Sequence, residues 1–189
     1  MRQDIKRQAR KQLSANYWRV MYFTFIPAII IGLVGFTVIG TVLAAPFLVG
    51  SAYGLWQYYN ERSASNNDIA IGYRSPNAIR NIIQLLLTGI FIFLWSLLLV
   101  VPGIIKSYSY AMVPYLLADP DVQEEDVITL SRRMMDGHKW ELFMLQLSFI
   151  GWAILGLFTA NILNIFYTVP YSQLAVAGFY QVRKESFQG

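Results

Sequence analysis

Two long stretches without a charged residue constrain this chain more than any other feature. Residues 20–60 and residues 142–182 each contain 41 residues and no Asp, Glu, Lys, Arg or His. A third uncharged stretch covers residues 81–105. A helix needs roughly 20 apolar residues to cross a bilayer, so each of the two longest stretches has room for two crossings. The sequence therefore predicts an all-α, polytopic transmembrane helical bundle and excludes an ordinary soluble domain.

The composition agrees with a membrane protein. Only 14% of the residues are charged and 56% are hydrophobic, whereas soluble domains average about 25% charged residues. The chain has no cysteine, which excludes disulfides and thiolate metal ligands. The net charge is +4, and the basic residues stand where apolar stretches end, which is typical of membrane orientation signals. We therefore expect membrane lipids with anionic headgroups as partners near the basic N-terminus, and no nucleic acid.

Residues 1–17 predict an amphipathic basic helix. Ile5, Ala9 and Leu13 recur every four residues, with Lys and Arg between them. Such a helix would lie along the lipid headgroups with its cations toward anionic lipid; alternatively, the segment is a solvated basic tail that orients the first span. The uncharged stretch that follows is much longer than the apolar core of a signal peptide, so we expect an uncleaved first span.

The apolar stretches predict six spans within one integral membrane domain of residues 1–189, at about residues 18–38, 41–59, 78–98, 104–118, 140–160 and 163–182. Residues 61–76 read as a loop, in which Ser75 and Pro76 are a plausible helix start. A polar helix is predicted over residues 122–136, on the cytoplasmic side between spans four and five. The small residues Gly50, Gly54 and Gly178 predict close helix packing, either within the chain or between copies of a homo-oligomer.

The central stretch, residues 101–120, decides how the second half is oriented. If it crosses the membrane, every Lys and Arg except Lys106 lies on one face of the bilayer. If it does not cross, only the basic residues of the first half share a face. The positive-inside tendency favours six spans in the bacterial cytoplasmic membrane, with both termini in the cytoplasm. The two halves of the chain are faintly similar in sequence. With six spans they would have the same orientation in the membrane, whereas with five spans they would have opposite orientations.

Few residues carry the types needed for catalysis. His138 is the only histidine, which excludes metal sites that need two imidazoles. Ser131, Asp136 and His138 have the types of a hydrolase triad, but they lie within eight residues and no nucleophile-elbow pattern is present. The acidic residues near Asp121 lack the spacing of a calcium loop. We therefore expect no catalytic residue, no metal, no cofactor and no enzymatic activity.

The second half of the chain contains the strings PGIIKSYSYAMVPYLLAD, SRRMMDGHKWELFMLQLSFIGW and PYSQLAVAGFY. Together they resemble an uncharacterised family of integral membrane proteins of Gram-positive bacteria, domain of unknown function 975. The resemblance implies a multi-span envelope protein, and its relatives beside peptide-export or bacteriocin genes imply an immunity or transport-accessory role. The positions that match the recurrent pattern are Pro102, Gly103, Lys106, Tyr108, Pro114, Tyr115, Asp119, Ser131, Gly137, His138, Trp140, Gly151, Trp152, Pro170 and Tyr171.

Candidate ligand-binding residues follow from this resemblance and from the charge pattern. They are Lys106, Tyr108, Tyr115, His138 and Trp140. Lys106 either extends its charge to the membrane surface or recognises a phosphate or carboxylate headgroup. We expect a non-enzymatic membrane protein of the bacterial envelope that handles or transports lipid or peptide. The alternative is a bacteriocin immunity or regulatory protein that acts through partner proteins at residues 122–136.

Overall fold

The computed structural model describes residues 1–34, 38–74, 78–98, 100–122, 126–159 and 161–188, and these residues form helices joined by turns, without a strand. The α-helices are α1 (Arg2–Ala15), α2 (Tyr17–Val34), α3 (Val38–Tyr59), α4 (Ile71–Arg74), α5 (Ala78–Leu98), α6 (Val100–Ser109), α7 (Val113–Ala118), α8 (Val127–Met134), α9 (Lys139–Leu147), α10 (Ile150–Phe158) and α11 (Val169–Gln188). A 3₁₀ turn, Asn66–Ala70, precedes α4, and a π-helical turn, Asn164–Thr168, precedes α11.

By length and composition, two helical segments among the described residues could cross a membrane. They are Ala78–Ser96, within α5, and Lys139–Phe158, which joins α9 and α10. The prediction of a helical fold is confirmed. The length and the composition of these two segments are compatible with a membrane protein. The six crossings stay a prediction.

The N-terminal helix α1 packs its apolar side on the protein itself. Ile5, Ala9 and Leu13 are buried, and the hydroxyl of Tyr171 in α11 donates a hydrogen bond of 3.0 Å to the carbonyl of Lys6. The amphipathic pattern therefore serves packing against α11, while the basic side of the helix stays outward. The exposed cations on that side are Arg2, Arg7, Arg10 and Lys11.

The predicted loop 61–76 begins by folding back along α3. Ser65 caps the 3₁₀ turn, because its hydroxyl accepts a 3.3 Å hydrogen bond from the Asn67 amide and its own amide donates a 2.7 Å hydrogen bond to the carboxylate of Asp68. This turn places the Ile69 backbone directly against Gly50 of α3. Close approach of this kind is available only to a residue without a side chain. The predicted helix start at residues 75 and 76 lies outside the described residues.

The central stretch is not one continuous helix, contrary to the predicted span 104–118. Helix α6 contains 10 residues and α7 contains 6, which correspond to rises of about 15 Å and about 9 Å. A turn at residues 110–112 separates them. Pro114 is the physical reason, because it has no N–H to donate to the carbonyl of Tyr110, which accepts a 3.1 Å hydrogen bond from the Val113 amide instead.

The predicted polar helix 122–136 is shorter in the structure and is part of the core. Helix α8 begins only at Val127, because the carboxylate of Asp126 caps it by accepting a 3.0 Å hydrogen bond from the Thr129 amide. Its apolar side is buried, including Leu130 and Met134. Gly137 follows with a φ of +74°, a conformation that favours glycine and ends the helical segment. Residues 123–125 lie outside the described part of the chain.

Aromatic side chains form much of the core where α3, α7 and α11 meet. Tyr58, Phe179 and Tyr180 are almost completely buried. The ring of Tyr180 stacks on Tyr115 with a centroid distance of 5.4 Å and meets Trp56 edge-on at 5.9 Å. This packing holds the C-terminal helix α11 against α7, at the end of the central stretch, and so brings Lys184 close to Asp119.

Candidate functional site

A groove opens between α5, α6 and α8. Its larger part has a volume of about 530 Å³ and is lined by Gln84, Leu87, Phe91, Trp95, Lys106, Tyr110, Asp126, Ile128, Thr129 and Arg132. A second hollow of about 310 Å³ is lined by Lys106, Thr129 and Arg132 as well, and by Ser109, Arg133, Asp136 and Lys139. Because the two hollows share three lining residues, we treat them as one feature, the α5–α8 groove.

One wall of the groove is apolar and belongs to α5. Leu87, Phe91 and Trp95 follow one another at four-residue spacing, so they lie on the same face of the helix. Their exposed fractions are 37%, 37% and 38%. All three belong to the segment Ala78–Ser96, one of the two that could cross a membrane. The groove therefore runs along a long apolar helix.

Lys106 brings a positive charge to this apolar wall. Its ammonium nitrogen lies 4.7 Å from the centroid of the Trp95 ring, a cation–π contact that does not neutralise the charge. Within the described part of the chain Lys106 forms no ion pair. Its charge is therefore available to an anion that enters the groove.

Among the described residues, the lining of the groove carries a net positive charge. Its cations in this part of the chain are Lys106, Arg132, Arg133 and Lys139, and its carboxylates are those of Asp126 and Asp136. The carboxylate of Asp126 is engaged with α8, because it accepts hydrogen bonds from the hydroxyl and the amide of Thr129, and these hydrogen bonds lower its pKa. Asp136 faces Lys139 at 3.9 Å. Cations therefore dominate the polar part of the groove.

A buried ionic cluster joins the end of α7 to α11. The side chain of Asp119 is 0% exposed; it accepts hydrogen bonds from the Tyr180 hydroxyl at 2.6 Å and from Lys184 at 2.7 Å. Lys184 also contacts the exposed carboxylate of Asp121 at 2.8 Å. The buried aspartate is thus satisfied by one cation and one hydroxyl from α11 and by the backbone amide of Asp121, which donates to it at 3.0 Å.

The charges in this cluster support one another. Burial by itself lowers the pKa of Lys184, but hydrogen bonds to Asp119 and Asp121 outweigh burial and raise it. The hydrogen bond and the charge of Lys184 in turn lower the pKa of Asp121. Lys184 and Asp121 therefore stay ionised at neutral pH, and the cluster serves as a structural tie.

The five predicted ligand-binding residues do not form one site, and of them only Lys106 lines the α5–α8 groove. Tyr115 is buried in the core against Tyr180. Tyr108 donates a 2.7 Å hydrogen bond to the side chain of Gln146.

The other two predicted residues lie at the start of α9. Trp140 is 67% exposed and packs on Phe143. His138 precedes the helix, and its Nδ1 atom lies 3.1 Å from Arg183 Nη1 and 3.2 Å from Glu141 Oε1. The contact of His138 with Arg183 ties the start of α9 to α11, and neither His138 nor Trp140 lines the groove.

Sequence reasoning missed most of the groove. The four-residue spacing of Leu87, Phe91 and Trp95 was available as a sign of one apolar face on α5. No local pattern relates Lys106 to Arg132, because the folding of α6 and α8 against α5 brings them together.

Comparison with known proteins identifies a family without an assigned activity. A family model described as "Protein of unknown function (DUF975)" matches residues 77–186, which is more than half of the chain and includes the whole α5–α8 groove. No curated protein and no solved structure matches the chain.

Proposed function

The chain belongs to the DUF975 family of proteins of unknown function, and we propose that it is a non-enzymatic integral membrane protein of the bacterial envelope that binds and handles lipid or an amphipathic peptide. The observation that carries this proposal is the combination of long, outward-facing apolar helices with a cationic groove beside one of them. The groove offers charge and apolar surface, which are the features of a binding site.

The outward apolar surface supports a place in the bilayer. Only 11% of the apolar window of Ala78–Ser96 and 22% of that of Lys139–Phe158 are buried inside the protein, whereas a core helix of a soluble protein would be mostly buried. Phe93 is 65% exposed and Phe158 is 84% exposed. Lipid tails would cover these side chains without the cost of exposing them to water.

Contacts between the polar segments support six crossings. Lys11 of α1 pairs with Glu61 at 2.9 Å. Arg62, Asp121 and Lys184 line one small cavity of about 270 Å³. With five crossings, Arg62 and Asp121 would lie on opposite faces of a hydrocarbon layer of about 30 Å. Their proximity favours one common face for these two residues, the cytoplasmic one by the positive-inside tendency. The α5–α8 groove gives the opposite indication for Lys106, because Lys106 shares a hollow with Arg133 and Lys139, whereas six crossings would separate it from them.

The break between α6 and α7 is compatible with a crossing. Tyr110 and Met112 at the break are 5% and 0% exposed. Non-helical backbone at membrane depth is tolerated where protein buries it. The central stretch would then cross as two short helices wrapped by their neighbours.

Cysteine scanning tests this topology, because the chain contains no cysteine of its own. We would place single cysteines at Ser65, at Asp136 and at Ile162, all of which are exposed, and treat intact cells with a membrane-impermeant thiol reagent. Six crossings predict that only the cysteine at position 162 reacts until the cells are opened. After opening, all three should react, which shows that each is accessible.

A five-crossing protein would give the opposite pattern at two positions. The cysteine at position 136 would react from outside, and the one at 162 would be protected. That result would replace the proposed arrangement with inverted halves. Recovery of all three variants in the soluble fraction, without membrane extraction, would overturn the membrane proposal itself.

Immunity to membrane-active peptides through a partner protein is the second candidate, but it gains less support. The helix expected to meet the partner, α8, buries its apolar residues, with Val127 at 0% exposure. A strain that lacks the gene should become more sensitive to bacteriocins if immunity is the role. Unchanged sensitivity across a panel of such peptides would count against it.

A further inference from the structure

We propose that the α5–α8 groove binds the phosphate-bearing headgroup of an anionic membrane lipid, with one acyl chain lying along α5. This inference rests on the proposed function and names the ligand class of the groove. Its first support is charge complementarity: among the described residues of the lining, cations outnumber carboxylates by four to two. A site of this balance favours an anion over a zwitterion.

The chemistry of the two central cations suits a phosphate. Lys106 and Arg132 line both hollows of the groove, so an anion bound between α6 and α8 would meet both. The ammonium group of Lys106 acts as a compact charge with three donors, and the guanidinium group of Arg132 can donate two parallel hydrogen bonds to phosphate oxygens. A single headgroup phosphate can accept from both.

The apolar wall matches one lipid tail in length. The groove-lining residues of α5 extend from Gln84 to Trp95, which corresponds to about 16 Å of helix. The hydrocarbon layer of a bilayer is about 30 Å thick, so the wall covers about one leaflet. Free inorganic phosphate would leave this wall unused, and the volume of about 530 Å³ is far larger than such an ion needs.

Binding would be measured on the purified full chain in detergent micelles by native mass spectrometry. The probes are phosphatidylglycerol, the zwitterionic phosphatidylcholine with the same acyl chains, and inorganic phosphate as a competitor. We expect phosphatidylglycerol to bind about tenfold more tightly than phosphatidylcholine, because its headgroup lacks the choline cation that the positive lining would repel. Excess inorganic phosphate should displace little of it.

The variants Lys106→Gln and Arg132→Gln are each expected to weaken phosphatidylglycerol binding about tenfold, because each removes charge-assisted hydrogen bonds to the headgroup. Lys106→Arg should retain most of the binding. The matched control is Arg62→Gln, which removes one exposed cation from the segment after α3, outside the groove lining, and should change binding less than about twofold. Trp95→Ala should weaken the binding of both lipids, whereas Phe93→Ala, outside the groove lining, should weaken the binding of neither.

Equal binding of the two lipids, or equal loss of phosphatidylglycerol binding in Arg62→Gln and Lys106→Gln, would overturn the proposal. Strong displacement by inorganic phosphate would assign the groove to a free anion instead of a lipid. If an acidic amphipathic peptide displaces bound phosphatidylglycerol at a lower concentration than added phosphatidylglycerol does, the groove is a peptide-binding site. The lipid-binding measurement is made in micelles and the cysteine scanning in cells, so the two tests are independent. A protein that binds no lipid can still have six crossings, and a protein with five crossings can still bind lipid.

Discussion

Replacement of Asp119 by alanine is expected to lower the free energy of unfolding by about 3 kcal/mol, because it leaves the largely buried Lys184 with only the exposed carboxylate of Asp121 as its partner. The side chain of Asp119 is 0% exposed and that of Lys184 only 11% exposed. The substitution also leaves the buried hydroxyl of Tyr180 without its acceptor. Thermal and denaturant unfolding in detergent micelles, followed by circular dichroism, would measure the loss.

Asp121→Ala is the matched control, because Asp121 contacts the same Lys184 but its side chain is 68% exposed. We expect it to cost less than about 1 kcal/mol, as exposed pairs do. The double variant Asp119→Asn with Lys184→Met should recover much of the loss, because it removes both buried charges together. Equal destabilisation by Asp119→Ala and Asp121→Ala would show that the cluster does not tie α7 to α11.

Gly50→Ala is expected to destabilise the protein by about 2 kcal/mol, although alanine is the better helix former, because overpacking a close contact forces the backbone to move. A methyl group at position 50 would overlap the carbonyl group of Ile69. Backbone cannot rotate away as a flexible side chain can, so α3 and the 3₁₀ turn must separate. The same unfolding measurement applies.

Two other glycines provide controls for the helix-propensity effect. A methyl group at Gly89 in α5 or at Gly151 in α10 would meet no atom within 4 Å. Alanine at either position should leave stability unchanged or raise it by up to about 1 kcal/mol. Gly178→Ala should lower the free energy of unfolding by nearly as much as Gly50→Ala, because its methyl group would overlap the buried ring of Tyr59. If Gly50→Ala leaves the free energy of unfolding unchanged, the close contact between Gly50 and the Ile69 backbone is contradicted.

Hydrophobicity along the chain predicted the helical elements well where nothing interrupts them. The predicted third span and α5 cover the same residues, 78–98, because an uninterrupted apolar run satisfies its backbone only as a helix. The shift from apolar to charged residues likewise marked the polar segment around α8. Prediction was poorer at Pro114, where a local backbone constraint overrode the apolar pattern and divided the central stretch.

The candidate site was predicted only in part. Lys106 was identifiable because a lysine inside an apolar stretch needs an explanation. The resemblance also selected Tyr115 and His138, whose contacts in the structure are with Tyr180 and Arg183. The same resemblance marks residues that hold the fold together, so it cannot by itself separate packing from binding.

The sequence by itself determined the helical class, the apolar stretches and the places where cations are available. These properties depend on residues within one or two helical turns of each other, and local hydrophobicity reveals them. Only the tertiary structure decided that α1 packs on α11, that Asp119 meets Lys184, and that Lys106 shares a groove with Arg132. The physical reason is that a charge or an apolar face can be satisfied by many partners, and only the packing of distant helices selects one.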